Sequence, residues 1–268
     1  MKKIKIRFSS FNPSKRQIFV LATLILTLGL VATQLLTETF RYPAVFLLGV
    51  FAYFLSAFCL RDNLKRHEWV TLLILPTLFT LSVSYFYFLL PVRWITRLPV
   101  ALFYALSFYA LLLTENIFNV SRERTIQLIR AAQTIGFYLT LVTGFLFLDI
   151  LISLHLDFYF NVLIGYAAIF LLLLQYFWSL RLSPEIEKSV IVYSSVISFL
   201  LSELILVFSF WPVKTLNSAL FLTSCFYVFL GIGGYEIQEK LFKRVIIEFI
   251  AVPSFVFILI LLSTSWTS

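Results

Sequence analysis

The chain has 268 residues, of which 61% are hydrophobic and 13% charged, and its mean hydropathy is +0.98. This composition excludes a soluble domain and indicates a polytopic membrane protein. The net charge of +8 does not require a nucleic-acid partner, because positive residues kept on the cytoplasmic side, near anionic headgroups, explain it. Cys59 and Cys225 lie inside apolar runs and indicate neither a disulfide framework nor a metal site.

The N-terminal segment, residues 1–17, is a basic arm that precedes an apolar run over residues 18–36. The run has the length of a membrane span rather than of a signal-peptide core. The segment Val31-Ala32-Thr33 is also a poor cleavage site for a signal peptidase. We therefore expect an uncleaved first span, with the basic arm in the cytoplasm.

Apolar runs near or above the ~20 residues needed to cross hydrocarbon recur along the rest of the chain. They predict nine spans, at residues 18–36, 42–60, 70–90, 98–118, 126–154, 158–180, 189–211, 216–234 and 245–266. Continuous apolarity predicts helices, because the strands of a membrane barrel alternate in polarity over about ten residues. The predicted fold class is all-α: one transmembrane helical domain over residues 18–266, with a short tail at 267–268. The connections between spans are too short to form a second domain.

The distribution of lysine and arginine predicts the orientation. With the N-terminus inside, the cytoplasmic segments hold seventeen of these residues and the outer turns hold four. Because cytoplasmic loops of membrane proteins are enriched in positive residues, this asymmetry favours a cytoplasmic N-terminus. An odd number of spans then predicts an extracytoplasmic C-terminus.

An acid and a base flank the polar turn predicted at residues 115–124. Glu115 lies about three residues before the end of the fourth predicted span, and Arg130 about four residues after the start of the fifth. On adjacent antiparallel helices the two side chains would therefore lie at similar depth. This position predicts an ion pair or a water-bridged contact, with Asn116 as a further partner.

A second interpretation of the same residues remains open. Arg130 could extend to the cytoplasmic headgroups while Glu115 caps its own turn. On the fifth span Gln127, Arg130 and Thr134 are spaced by three and four residues, which gives a polar stripe expected to face protein rather than lipid.

Glu203 is an acid slightly past the middle of the seventh span, between apolar neighbours. Ionisable residues in spans are functional candidates, so Glu203 could bind a proton or cation in a transporter, or it could be a hydrogen-bonded packing residue. Ser194, Ser198 and Ser202 are spaced by four and line one helix face, which predicts close packing against another helix. Glu203 is expected beside that face.

Two further acids lie within or near spans. Glu248 is about one turn inside the ninth span, five residues before Pro253, where a kinked helix can either open a cavity or simply pack. Asp149 lies with His155 and Asp157 near the outer ends of the fifth and sixth spans. A metal site needs three or four ligands with a supporting shell, so a solvated outer turn is the better interpretation. No metal or cofactor is predicted.

Three segments resemble uncharacterised multispanning proteins of uncultivated, small-genome bacteria. They are Leu111 to Val120, Arg124 to Ala132, and Leu90 to Pro99. The resemblance implies a bacterial inner membrane, that is, a multi-pass protein of the plasma membrane. It implies no particular chemistry.

The chain lacks the Gly-x-Ser-x-Gly, His-Glu-x-x-His and phosphate-loop motifs of common enzymes. We therefore expect a non-enzymatic structural, assembly or partner-binding component of the membrane. Its partners would be the lipid bilayer and other membrane proteins or a second copy of the chain, without nucleic acid. The alternative is a small secondary transporter or channel that uses Glu203 and the Glu115/Arg130 region. A membrane-embedded enzyme that acts on lipid is a third possibility.

Overall fold

The computed structural model describes residues 14–61, 68–90, 94–121, 127–183, 185–211 and 213–263. Within these ranges the chain is helical, without strands, and forms nine long helices. They are α1 (Lys15–Thr33), α2 (Glu38–Leu60), α3 (Glu68–Leu89), α4 (Trp94–Ser121), α5 (Ile129–Ser153), α6 (Phe158–Arg181), α7 (Lys188–Phe210), α8 (Thr215–Ile237) and α9 (Lys243–Ser263).

All nine of these helices are long and apolar enough to cross a membrane, which is the pattern of a multi-pass membrane protein. The predicted all-α class and the number of helices are confirmed for the described residues. Most of the predicted basic arm, the tail at 267–268 and the basic residues at 65, 66, 93, 122 and 124 lie outside the described ranges.

Two helix ends differ from the predicted spans for local reasons. α1 begins at Lys15, because the Ser14 backbone N–H donates to Gln17 Oε1 at 2.8 Å and so caps the first turn. α4 continues to Ser121, so that Glu115 lies within a helix rather than in a polar turn. The longer α4 places the polar residues of that segment against neighbouring helices.

Many serine and threonine side chains inside the helices bond to the backbone of their own helix. Thr23 Oγ1 donates to the Phe19 carbonyl at 2.8 Å, and Thr143 Oγ1 donates to the Leu139 carbonyl at 2.7 Å. A hydroxyl that bonds to the carbonyl four residues earlier is satisfied without any partner from another helix. The apolar runs can therefore contain many Ser and Thr residues without forming polar sites.

The helices form one bundle with α3 and α5 at its centre. α3 packs along α2, α4, α5 and α6, and α5 packs along α3, α4, α6 and α8. In the described chain, α9 packs extensively along α8 alone. Only 6% of the residues in the most apolar stretch of α9 are buried, compared with 61% for α3. α9 is therefore a peripheral helix with most of its surface exposed.

A stack of aromatic rings fills the core between α3 and α4. Phe79 and Tyr104 are parallel at 5.8 Å between ring centroids, and Phe108 continues the stack at 5.4 Å from Tyr104. The Tyr104 hydroxyl shares a hydrogen bond of 3.0 Å with Thr80 Oγ1. All four side chains are buried. The rings thus contribute packing area, while the tyrosine hydroxyl is satisfied.

Glycines allow some of the helices to approach closely. A Cβ at Gly144 of α5 would lie 2.5 Å from Cε1 of the buried Phe226 on α8, and a Cβ at Gly165 of α6 would lie 2.5 Å from Ile205 Cδ1 on α7. These distances leave no room for a side chain. Small residues at such contacts are the usual means by which membrane helices pack tightly.

Two glycines of α5 give a test of this packing. Gly144→Ala should destabilise the protein by about 1–3 kcal/mol, because its methyl group would overlap the Phe226 ring. The matched control is Gly136→Ala, whose Cβ would lie 3.5 Å from Phe118, an ordinary contact. Gly136→Ala should be neutral or stabilise the helix by roughly 0.5–1 kcal/mol. Unfolding by titration with sodium dodecyl sulfate in mixed micelles measures both, and equal effects would contradict the close α5–α8 contact.

Candidate functional site

Polar side chains gather at one end of the bundle, which we call the proximal end: the end at which α1, α3, α5, α7 and α9 begin and α2, α4, α6 and α8 finish. Side-chain hydrogen bonds join several of these helix ends. Asn119 on α4 donates to the Leu60 carbonyl on α2 at 3.0 Å, and Gln133 on α5 donates to the Ser179 and Leu180 carbonyls on α6 at 3.3 Å. Carbonyls in the last turn of a helix have no partner within it, so these amides satisfy groups that the fold would otherwise leave open.

Glu115 and Gln175 meet in the interior near the proximal end. Glu115 is six residues from the end of α4, and Gln175 is six residues from the end of α6. Their side chains are 0% and 3% exposed, and Gln175 Nε2 donates to Glu115 Oε1. α4 and α6 are not among the helix pairs that pack along each other, so this bond joins helices across the centre of the bundle.

The remaining oxygens of this pair have no hydrogen-bond partner in the described chain. Glu115 Oε2 and Gln175 Oε1 are both buried and unpaired there. In the described residues no Lys or Arg forms an ion pair with Glu115. An acid buried without a cation depends on its hydrogen-bonded neighbour, so Gln175 is the residue that accommodates Glu115.

The predicted contact between Glu115 and Arg130 is wrong. Glu115 is enclosed in the interior with Gln175, whereas Arg130 is exposed in the first turn of α5. Glu115 is six residues from the end of α4, whereas Arg130 is the second residue of α5, so the two side chains differ in depth as well as in surroundings. Asn116, the further partner expected for the pair, has no hydrogen bond to either residue.

Glu203 lies on the outward face of α7 and is exposed. Its helix neighbours Phe199 and Val207 are 57% and 53% exposed, so the carboxyl group stands on an apolar surface rather than in the bundle. It lines none of the four main cavities of the described chain. Glu203 was expected beside the serine face, and the structure places it on the outward side of α7.

The three serines of α7 lie in the interior. Ser194 and Ser198 are fully buried and Ser202 is 3% exposed, on the helix that packs most extensively with α6. Ser198 Oγ donates to the Ser194 carbonyl at 2.6 Å, and Ser202 Oγ donates to the Phe199 carbonyl at 2.7 Å. The Ser198 and Ser202 hydroxyls therefore bond within their own helix, whereas Ser194 Oγ has no hydrogen-bond partner in the described chain. All three small side chains face the bundle.

The other candidate acids lie apart from one another. Asp149 is buried, 7% exposed, so the solvated outer turn predicted for it is wrong, because α5 continues to Ser153 and keeps Asp149 inside the helix. Glu248 is exposed on α9 and forms an ion pair with Arg244, at 3.0 Å between Oε1 and Nε. No group of three or more His, Cys, Asp or Glu residues in the described ranges could hold a metal ion. The candidate acids thus form no joint site.

A cavity of about 530 Å³ opens at the proximal end between α5, α6, α8 and α9. Arg130, Gln133 and Thr134 line it from α5, and six aromatic rings form much of its wall: Phe137, Tyr138, Tyr176, Tyr227, Tyr235 and Phe249. Lys240, after the end of α8, completes its mouth. Two residues of the polar stripe predicted on α5, Arg130 and Thr134, therefore line this cavity.

Comparison with known proteins identifies the family. The family model described as a protein of unknown function, DUF5656, matches residues 57–263, from the end of α2 to the end of α9. The chain belongs to the DUF5656 family. No curated protein and no solved structure matches it.

The residues of this DUF5656 protein that the sequence did not reveal are Gln175 and the aromatic wall. Gln175 is a lone amide in a long apolar run. The feature that could have indicated a contact with Glu115 was its depth, because it lies as far from the end of its helix as Glu115 does. The tyrosines gave no signal, because aromatic residues occur throughout the chain. The hydrogen bond between Glu115 and Gln175 can link α4 to α6, and the open cavity can bind a ligand.

The Glu115–Gln175 bond can be tested by a double-mutant cycle. Glu115→Leu should cost about 1–3 kcal/mol, because it leaves the Gln175 amide unpaired in the interior. Combining it with Gln175→Leu should cost less than the sum of the single changes by about 1 kcal/mol or more. Glu115→Gln should be tolerated, because an amide at position 115 can donate to Gln175 Oε1 and accept from its Nε2. The measurement is the free energy of unfolding in mixed micelles.

A second cycle provides the control. Glu115→Leu and Arg130→Gln should be additive within about 0.5 kcal/mol, because the structure places no contact between these residues. Coupling in this control, together with additivity for Glu115 and Gln175, would show that the buried partner has been assigned wrongly.

Proposed function

We propose that this DUF5656 protein is a non-enzymatic component of a bacterial plasma membrane that assembles with a second copy of itself through the outward face of α7. The observation that supports the proposal is the exposure of Glu203 on an apolar helix face. An ionisable residue at the centre of a membrane helix costs about 3 kcal/mol on insertion scales, so such residues usually face protein or water.

The residues around Glu203 form a stripe along α7, spaced alternately by four and three. Its members, which we call the α7 stripe, are Val192, Val196, Phe199, Glu203, Leu206 and Phe210. The four apolar members other than Leu206 are 53–69% exposed. This spacing keeps one seam facing a partner helix in a left-handed coiled coil, where a single polar residue sets the register. The α7 stripe therefore has the pattern of a helix–helix contact with Glu203 as its polar member.

A second copy of the chain is a better partner for the stripe than a helix that would place a Lys or Arg of this protein beside Glu203. Glu203 lies seven residues before the end of α7, about 10 Å inside the helix end. Every Lys or Arg in the described ranges lies in a connection or within about one turn of a helix end. Across a twofold axis, two carboxyl groups can pair with each other, since a carboxylic acid both donates and accepts. The acid is then satisfied by its own symmetry mate.

An apolar groove beside the stripe extends the contact surface. It has a volume of about 620 Å³ and lies between α6 and α7, lined by Phe199 and Leu206 of the stripe and by Leu163 and Tyr166 of α6. A partner helix that follows the stripe would place side chains in this groove. Both the groove and the stripe lack a neighbour in the described chain.

The transporter alternative has less support. It requires acids that converge on a cavity, whereas Glu115 is enclosed, Glu203 faces outward, and neither lines the cavity that contains Arg130. A membrane-embedded enzyme has no cluster of candidate catalytic side chains to support it in the described chain.

The orientation proposed for the bundle follows from its charges. Among the described residues, nine Lys and Arg lie at the proximal end, where α1 begins, and three at the other end, so we place the proximal end in the cytoplasm and the C-terminus outside. The bacterial plasma membrane is supported by the resemblance of the α4–α5 segment to multispanning bacterial proteins.

The dimer can be tested with three variants at two positions. Glu203→Leu should weaken self-association in lipid nanodiscs or dilute micelles roughly tenfold, because it removes an interhelical hydrogen bond worth about 1–2 kcal/mol. Glu203→Gln should keep most of the association, because an amide also pairs with its own copy. Glu248→Leu is the control, since that exposed acid lies outside the stripe. Energy transfer between labelled copies measures the association.

Cross-linking locates the interface. In a background with Cys59→Ala and Cys225→Ala, oxidation should join copies with Val196→Cys on the stripe, but not copies with Leu106→Cys, which is at least as exposed on α4. A protein that stays monomeric in all conditions, or a Glu203→Leu variant that associates as well as the original, would overturn the proposal. Loss of association in Glu203→Gln would instead indicate a basic partner from another protein.

The orientation has its own test. Reporter fusions in the connection at residues 62–67 and at residue 126 should be cytoplasmic, and a fusion after Ser268 should be extracytoplasmic. Alkaline phosphatase and green fluorescent protein reporters distinguish the two sides. Finding the two termini on the same side would contradict nine spans.

A further inference from the structure

The cavity at the proximal end contains two cations that the fold leaves without a carboxylate. The Arg130 guanidinium has no hydrogen bond or ion pair with any described residue, and Lys240 Nζ contacts only Gln238 Oε1, at 3.3 Å. Nearby basic residues are paired: Arg181 with Glu187 and the Ile237 carbonyl, and Arg244 with Glu248. No Asp or Glu among the described residues lines the cavity. Its mouth is therefore positive and open.

Four tyrosine hydroxyls of the wall are also open. Tyr138, Tyr176, Tyr227 and Tyr235 line the cavity, and none of their hydroxyls bonds to a described residue. Tyr176 is only 8% exposed, and its hydroxyl lies against Gly234, another residue of the wall. Tyr138 and Tyr235 are 60% and 40% exposed and Tyr227 is half-buried, so their hydroxyls are open to a ligand in the cavity. Hydroxyls that surround one cavity can donate together to an acceptor bound there.

The cavity changes in polarity with depth. Arg130 is the second residue of α5, and Lys240 follows the end of α8, so both lie at the bundle surface. Phe137, Tyr227 and Phe249 pack against one another, at 5.9 Å and 4.9 Å between ring centroids, six to ten residues inside their helices. At 1.5 Å per residue these rings lie about 9–15 Å from the helix ends. The site is thus charged at the membrane surface and aromatic below it.

We propose that this cavity binds the phosphate group of an anionic lipid. The phosphate would accept hydrogen bonds from Arg130, Lys240 and the tyrosine hydroxyls, and the start of the acyl chains would lie on the Phe137, Tyr227 and Phe249 rings. Arginine and lysine at the cytoplasmic surface of membrane proteins recognise phosphate headgroups in this way. The volume of about 530 Å³ accommodates a headgroup with its glycerol backbone rather than a whole lipid.

The site is independent of the proposed dimer. It lies between α5, α6, α8 and α9, whereas the α7 stripe runs along α7 and faces away from the bundle. A protein that is monomeric but binds lipid would overturn only the dimer, and the reverse result would overturn only the lipid site.

Native mass spectrometry of the full chain tests the site. In micelles titrated with phosphatidylglycerol, the protein should retain one anionic lipid per copy and should discriminate against phosphatidylcholine. Arg130→Gln combined with Lys240→Gln should weaken binding of phosphatidylglycerol by roughly tenfold or more, because it removes two charge-assisted hydrogen bonds. The matched control, Arg16→Gln with Lys188→Gln, removes the same charges from exposed positions at the same end and should bind normally.

A second set of variants tests the hydroxyls without changing the charge. Tyr176→Phe and Tyr227→Phe keep the rings and should each weaken binding of phosphatidylglycerol severalfold, with unchanged thermal unfolding. Equal losses in the cavity and control charge variants would show general attraction to the surface and overturn the site. Binding of inorganic phosphate that phosphatidylglycerol does not displace would identify free phosphate as the source and overturn the lipid. Equal retention of phosphatidylglycerol and phosphatidylcholine by every variant would also overturn the proposal.

Discussion

The fold depends on one constraint: in a chain this apolar, polar groups must be satisfied within the protein itself. The backbone meets the constraint by forming helices throughout the described ranges, since a helix pairs its own amides and carbonyls. Many serine and threonine hydroxyls meet it by bonding to carbonyls in the preceding turn. At the proximal end, the side-chain amides of Asn119 and Gln133 satisfy the carbonyls that the ends of α2 and α6 leave open.

Glu115 shows how the constraint shapes the packing. A carboxyl group with no exposed surface must find a donor, and the donor comes from α6, which is not a direct packing neighbour of α4. The bond therefore determines how α4 and α6 sit on either side of the central helices. A longer or differently rotated α4 would leave both side chains unpaired, so this single contact sets the register of the bundle at its proximal end.

The sequence predicted the fold class and the helices, because both follow from the composition and from the length of each apolar run. The sequence could not predict which side chains contact one another. Glu115 and Arg130 were matched by depth along neighbouring helices, but α4 continues to Ser121 and α5 begins only at Ile129, so Glu115 lies deeper than Arg130. Rotation about the helix axis then pairs Glu115 with Gln175. In a soluble helix the apolar face reveals that rotation. In α4 and α7 apolar residues occur on every face, so neither the inward direction of Glu115 nor the outward direction of Glu203 could be determined from apolar periodicity.

The same constraint explains where function is to be sought. Most polar groups in the described interior are bonded within the chain, so those that are open on an apolar surface or in a cavity stand out. Glu203 lies on a stripe of exposed apolar side chains, and Arg130, Lys240 and four tyrosine hydroxyls surround one cavity. The first set can pair with an identical surface, because an acid is its own complement. The second set combines two cations, which only donate, with hydroxyls, which can donate, so its complement is an anionic acceptor that the described lining of the cavity does not provide. These two chemistries require different ligands, which is the physical reason to assign the two surfaces to different partners: a protein on α7 and a phosphate at the proximal end.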